Sequence, residues 1–268
     1  MFLREHWERR ALRSVASAAD GLPDLFTLDD VDRLVSTHEL PAAALRLVKD
    51  EVSLEARTYR RPDGSPDAGA IFDRHQGGAT IILNQVHLRH EPLALFCREL
   101  ERDLTMPVQA NAYLTPPGAR GFRAHYDTHD VFVVQTSGRK TWRLHDRPVE
   151  NPLKAQPHDP AVHPAGAPRE EFELAAGDVL YLPRGLVHAA ATSASASLHV
   201  TIGVLAWTWA DLLLEAVADA ALDDPAFRGG LPPGFARPGE GRSGAAARLR
   251  ELLSRVAERT DAAVLLDR

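Results

Sequence analysis

His125, Asp127 and His188 are the residue types of a metal centre that leaves coordination positions open. Two imidazoles and one carboxylate are the ligand set of non-haem Fe(II) oxygenases, which hold one face of the ion and leave the other free. His125 and Asp127 stand two apart. On an extended strand such residues point to one side, so both can grip one ion while Tyr126 faces away. His188 comes 63 positions after His125 (188 − 125), so the fold must bring it back. The plain alternative for this stretch is a surface charge cluster, because His129 and Asp130 follow closely.

The segment that ends in His188 has its own pattern. Asp178 to Leu182 reads as a short strand; Pro183 cannot donate to a ladder, and Gly185 permits the tight turn that would aim His188 inward. Gly177, Pro183, Gly185 and His188 keep the spacing G-x5-P-x-G-x2-H, which resembles the second motif of the cupin superfamily. The first cupin motif is only partly present. Asp127 stands where its second histidine would be, and Val131 or Phe132 where its glutamate would be. One ligand fewer suits an oxygenase, whose metal must admit a co-substrate and O2.

Composition narrows the classes. A chain of 268 residues with 44% hydrophobic residues has room for one large domain with an appendage. A net charge of −6 without a basic run argues against direct nucleic-acid binding. Cys97 is the one cysteine, so no internal disulfide forms. The first ten residues are rich in charge and lack the apolar core of a secretion signal, and no apolar run is long enough to span a membrane. A cytoplasmic protein is expected. Of 31 basic residues only Lys49, Lys140 and Lys154 are lysines, and Lys140 lies between the two metal motifs.

The elements that must position these residues read as follows. Residues 1–50 suggest helices: Phe2 to Leu12, Leu28 to Val35 and Ala42 to Val48. Strands are expected at Ser53–Tyr59 and Gly78–Asn84, and a helix at Leu93–Leu104. From Val108 the pattern turns to strands: Val108–Leu114, Gly121–Tyr126, Val131–Gln135, Lys140–Leu144, Glu171–Leu174, Val179–Leu182, His188–Thr192 and Ser197–Leu205. Turns are expected at Pro116–Ala119 and Thr136–Gly138. Residues 151–168 form a long Pro-rich connection. Eight short strands suggest a mainly β protein with helical flanks, a double-stranded β-helix or jelly roll. Two amphipathic helices follow, Ala206–Ala221 and Ala245–Val256, joined by a Gly- and Pro-rich linker at 229–242. The expected division is a jelly-roll domain over 1–206 and a helical region over 207–268.

The run Asn111-Ala-Tyr-Leu-Thr-Pro-Pro-Gly-Ala-Arg-Gly-Phe-Arg-Ala-His125-Tyr-Asp127, continued by Gly138-Arg-Lys140-Thr-Trp142-Arg, closely resembles the JmjC-type ribosomal oxygenases, a branch of the cupins. The resemblance is strongest over 108–204. It implies an Fe(II)- and 2-oxoglutarate-dependent oxygenase that hydroxylates a side chain, of Arg or His type, in a ribosomal or other protein. It implies that His125, Asp127 and His188 ligate iron and that Lys140 binds the distal carboxylate of 2-oxoglutarate. A dicarboxylate inside a barrel needs a buried cation, in agreement; a solvated hairpin lysine is the alternative.

Asn111 and Tyr113 share a face of one strand and match polar residues of the family's co-substrate pocket, a structural hydrogen bond being the alternative. Thr201 matches a further pocket position, whereas Gly203 stands where some members carry a serine that contacts the co-substrate. His199 is expected to be a satisfied core histidine, and Trp142 and Trp207 core residues. By analogy the C-terminal helices imply a homodimer; the family's winged-helix domain is not expected in a chain ending at Arg268. Two rival substrates stay open, a biosynthetic peptide and a small molecule. So does a cupin of another chemistry or without catalysis, against which the intact Asp127 and Lys140 stand.

Overall fold

The structure is a computed structural model, and it describes residues 1–15, 22–119, 122–192 and 194–267. The chain divides into two compact units, Met1–Ala206 and Trp207–Arg268. In the first unit the elements are α1 (Phe2–Glu5), β1 (Leu12–Ser14), α2 (Leu28–Thr37), β2 (Leu45–Lys49), β3 (Val52–Ser53), α3 (Ala68–Gln76), β4 (Thr80–Leu83) and α4 (Glu91–Leu104). There follow β5 (Val108–Thr115), β6 (Asp130–Leu144), β7 (Glu170–Ala175), β8 (Val179–Leu182), β9 (His188–Ala191) and β10 (Ser197–Val204).

The strands form an antiparallel sheet in the order β1-β8-β6-β10-β5-β4-β2-β3, with β7 and β9 also on β6. The long strand β6 joins the two layers. Its residues from Val131 to Val134 pair with β8, and those from Arg139 onwards with β7 and β9. This is the expected double-stranded β-helix. The main core lies between the sheet and α2–α4, with Phe26, Leu34, Ile71, Ile81 and Leu93 fully buried.

Several expectations need correction. Thr136–Gly138 is not a turn. Gly138 lies inside β6 at φ 66, and a Cβ there would stand 1.9 Å from the Ala196 carbonyl oxygen. The register against β10 shifts here, between Leu198 and His199. That irregularity turns the inward phase of β6 from odd positions (Val131, Val133) to even ones (Lys140, Trp142), all four of which line one cavity. Ala42–Val48 is not a helix: a short 3-10 turn at Ala42–Ala44 leads into β2, whose backbone is claimed by β4. Ser53–Tyr59 is not a strand; β3 ends at Ser53 and a 3-10 turn occupies Ala56–Thr58. The first helix ends at Glu5, and Leu12 opens β1 on β8. The sequence pattern missed α3, which Asp67 caps through the Ala70 N–H. The Thr27 hydroxyl accepts the Asp30 N–H to cap α2, and the Asp30 carboxylate accepts the Thr27 N–H in return.

The second unit holds α5 (Trp209–Asp223), α6 (Glu240–Arg259) and α7 (Ala262–Leu266), packed on Ala216, Ala220, Val256 and Leu265. Trp207 is exposed, contrary to its expected place in a core. Among the described residues no helix is long and apolar enough to cross a membrane.

Candidate functional site

The strand expected over Gly121–Tyr126 is absent from 122–126, and Gly121 lies outside the described residues. His125 instead makes a single β-bridge with His188: each donates its N–H to the other's carbonyl, at 3.1 and 2.8 Å. Gly185 donates its N–H to the Asp127 carbonyl at 3.0 Å. Three backbone bonds thus zip together the segments that carry His125, Asp127 and His188, without the H-x-D pair being part of a regular strand.

His125, Asp127 and His188 converge: one ligand atom from each lies within 4.8 Å of the other two. The Asp127 carboxylate is 4.0 Å from His125 Nε2 and 3.7 Å from His188 Nε2. His125 Nδ1 meets the Arg123 carbonyl at 2.7 Å, and His188 Nδ1 the Leu186 carbonyl at 3.0 Å. A carbonyl only accepts, so each Nδ1 carries the proton and each Nε2 lone pair faces the cluster, as a metal requires. Burial, helped by the nearby His125, lowers His188 to about 4, so it is neutral at neutral pH. Burial works to raise Asp127, but His188, His125 and His129 outweigh it and hold the carboxyl below its usual range. Tyr126 points away and donates to the Gln156 carbonyl. His158 and His163 of the Pro-rich loop pack on its ring.

The cluster opens onto a cavity of about 110 Å³. Its wall is set by register. On β5 and β10, Asn111 pairs with Thr201 and Tyr113 with His199, and all four line the cavity. Asn111 Oδ1 accepts the Gln85 N–H at 2.9 Å, which leaves its amide NH2 as the donor. Burial pushes the Tyr113 hydroxyl up to about 12, so it stays a donor. Lys140 is buried in the wall, not a solvated hairpin residue. Its Nζ donates to Thr115 Oγ1 at 3.0 Å, and no ion pair of Lys140 occurs among the described residues. Burial alone drops its pKa to about 7.

Three features escaped the sequence. His199 is buried but not satisfied: its Nδ1 has no hydrogen-bond partner among the described residues, and its ring stacks on Tyr113 at 4.9 Å. Burial, then the charge of Lys140, holds it well below its ordinary value, so it is neutral. Its phase with Thr201 was the available signal. Trp142 is buried as expected, yet its Nε1 is also orphaned and it lines the cavity. His129 lies against bare Gly203: a Cβ there would stand 2.5 Å from His129 Cδ2. Asp130 is fully buried, which removes the surface-cluster alternative.

Residues 84–212 match a family described as the JmjC domain. Over 244 residues, 87% of this chain, the sequence is 31% identical to the bifunctional lysine-specific demethylase and histidyl-hydroxylase NO66 of Drosophila grimshawi. It is 32% identical over 86% of its length to ribosomal oxygenase 2 of Rattus norvegicus. Residues 84–212 thus carry a JmjC domain, and the chain resembles the ribosomal oxygenases over most of its length. It spans 33% and 51% of the length of those two relatives. Among solved structures, YcfD, a ribosomal oxygenase from Escherichia coli in complex with cobalt and 2-oxoglutarate, matches with a TM-score of 0.61 at 22% identity. The match covers 97% of this chain and 66% of that one, and it is a likeness of fold.

Proposed function

We propose that this ribosomal-oxygenase relative is an Fe(II)- and 2-oxoglutarate-dependent protein hydroxylase. The observation that carries the reading is a His-Asp-His cluster opening onto the same small cavity as a buried lysine that has no counter-ion among the described residues. The donor set suits Fe(II): two imidazoles that present Nε2 and an ionised carboxylate, gathered on one side. The cavity suits a dicarboxylate. A buried ammonium with one hydroxyl partner is costly unless an anion joins it, and the orphaned Trp142 and His199 nitrogens add polar sites nearby.

Bound together, Fe(II) and 2-oxoglutarate supply an oxidation in which O2 is consumed, the co-substrate leaves as succinate and CO2, and one oxygen atom enters a C–H bond. The chain's own residues do the following. His125, Asp127 and His188 hold the metal from one side and leave the cavity side open. Lys140, with Thr115 beside it, anchors the distal carboxylate. Asn111, Tyr113 and Thr201 orient the co-substrate as hydrogen-bond donors. Val131, Val133 and Leu182 exclude water. No side chain is needed as a general base.

The relatives' names favour a ribosomal protein as substrate, and a cytoplasmic location fits both that substrate and a single, buried cysteine. Residues 1–206 are the catalytic part in this reading. Residues 207–268 form a helical region that pairs with a second copy, supported by the exposed Trp209, Leu213 and Leu214 of α5. Light scattering tests the pairing, which a monomer would contradict. The activity is tested by incubating the Fe(II)-loaded protein with 2-oxoglutarate, O2 and a pool of ribosomal proteins. Intact-mass spectrometry should find the gain of one oxygen atom on one of them, lost in His188→Ala. Succinate formation without any such gain would move the substrate to a peptide or small molecule.

A further inference from the structure

Next in sequence to the metal-ligand segments, and outside the cavity lining, is a largely buried network of charges that the proposed chemistry does not use. Asp130 is fully buried three residues after Asp127, and Arg184 is 6% exposed one residue before Gly185. The Arg184 guanidinium donates to Asp130 Oδ2 at 2.7 Å, and the Arg184 backbone N–H donates to Oδ1 at 3.3 Å. The Tyr181 hydroxyl donates to Oδ1 at 2.7 Å. The same guanidinium nitrogen meets the Glu8 carboxylate at 2.6 Å, and the Glu8 N–H donates to the Tyr181 hydroxyl at 2.8 Å. Arg147 closes the network, donating to the carbonyls of Arg184 and Glu8 at 2.8 and 2.9 Å. None of Glu8, Asp130, Arg147 and Arg184 lines the cavity.

Burying such charges is expensive, and an apolar pair of like volume is often as stable. Stability alone therefore gives no reason for placing them here. Their position does. Asp130 follows one ligand segment and Arg184 precedes the other, and between them run the Gly185–Asp127 and His125–His188 backbone bonds. A side chain at Gly185 would strike the Val149 carbonyl, so this turn tolerates little rearrangement of its own.

We infer that the Asp130–Arg184 pair, anchored to the N-terminal segment through Glu8, is the positioning device that sets His188 against His125 and Asp127. The inference rests on the reading of those three residues as metal ligands. Asp130, Arg184 and Glu8 are positioning residues that act through the turn they brace. The network also makes the first ten residues part of the metal site's support, although they lie far from it in sequence.

The test uses Co(II) as the probe, with affinity measured by competition against a chelator and coordination followed by visible absorption. Asp130→Asn keeps the shape of the side chain but removes the charge that holds the guanidinium. We expect Co(II) binding weaker by roughly 10–100-fold, the usual effect of losing a group that orients metal ligands, and an altered spectrum. Glu8→Gln, at the half-exposed end, should shift both in the same direction by less, and it decides the matter should Asp130→Asn fail to fold. Ile71→Val, buried in the main core away from the ligands, should lower the melting temperature and leave Co(II) affinity unchanged. Asp130→Asn and Glu8→Gln with wild-type affinity and spectrum would overturn the inference. Wild-type protein that takes up no Co(II) would overturn the metal reading itself, which is a distinct result.

Discussion

Replacing Lys140 by methionine should make the protein more stable and unable to hold its co-substrate. Burial lowers the Lys140 pKa from 10.5 to about 7. The folded value lies below the unfolded one, so between about pH 7 and 10.5 the unfolded chain holds a proton that the folded chain releases. Stability therefore rises with pH through that window; the penalty is complete below about pH 7 and gone above about 10.5. Each pKa unit is worth about 1.4 kcal/mol, so the full penalty is about 5 kcal/mol.

Lys140→Met removes the penalty and loses one bond to Thr115, worth about 1 kcal/mol. The ligand-free variant should melt several degrees above wild type at about pH 6.5, and the gap should shrink by about pH 9.5. Binding moves the other way. A buried carboxylate deprived of its cation costs about 3–5 kcal/mol, or roughly 100- to 1000-fold and more in Kd for 2-oxoglutarate. Thermal melts at the two pH values and calorimetry on Co(II)-loaded protein read both effects. A variant no more stable than wild type at low pH, or one that binds 2-oxoglutarate within about threefold of it, would refute the reasoning.

Other substitutions test the parts around this lysine. Gly138→Ala places a Cβ at 1.9 Å from a backbone oxygen in a left-handed conformation, and should cost on the order of 2–4 kcal/mol, seen as a lower melting temperature and weaker 2-oxoglutarate binding. A wild-type melt would show that the β6 irregularity does not depend on glycine. Gly203→Ala should displace the His129 ring and cost on the order of 1 kcal/mol; adding His129→Ala should recover that loss, and a double variant no better than the single would contradict the collision. Burial, with Glu101 nearby, pushes the Cys97 thiol up to about 11. A thiol reagent should label it only after denaturation, and rapid labelling of the native protein would disprove the packing of α4.

The convergence of His125, Asp127 and His188 was legible because it is written in residue type and spacing. H-x-D and G-x5-P-x-G-x2-H need no knowledge of distant contacts, even though the first is held by a single bridge and not by the strand it suggested. The inward, buried place of Lys140 was suggested only by the family resemblance, since it depends on a phase change at Gly138 that looked like a turn. Ala42–Val48 misled because apolar spacing over seven residues does not separate a helix from a strand that β4 claims. His199 and the Asp130–Arg184 network were hidden for a different reason. Whether a buried nitrogen is satisfied, or a carboxylate meets a guanidinium 54 positions away, is decided by the packed sheet and leaves no local trace.

The central claim is that His125, Asp127 and His188 hold a metal whose co-substrate is anchored by Lys140. Succinate formation from 2-oxoglutarate, by protein loaded anaerobically with Fe(II) and then exposed to O2, tests it most directly. The account predicts steady succinate from wild type in the presence of the ribosomal-protein pool, none from His125→Ala, and from Lys140→Met only at greatly raised 2-oxoglutarate. Succinate from His125→Ala at the wild-type rate, or none from wild type under these conditions, would contradict it.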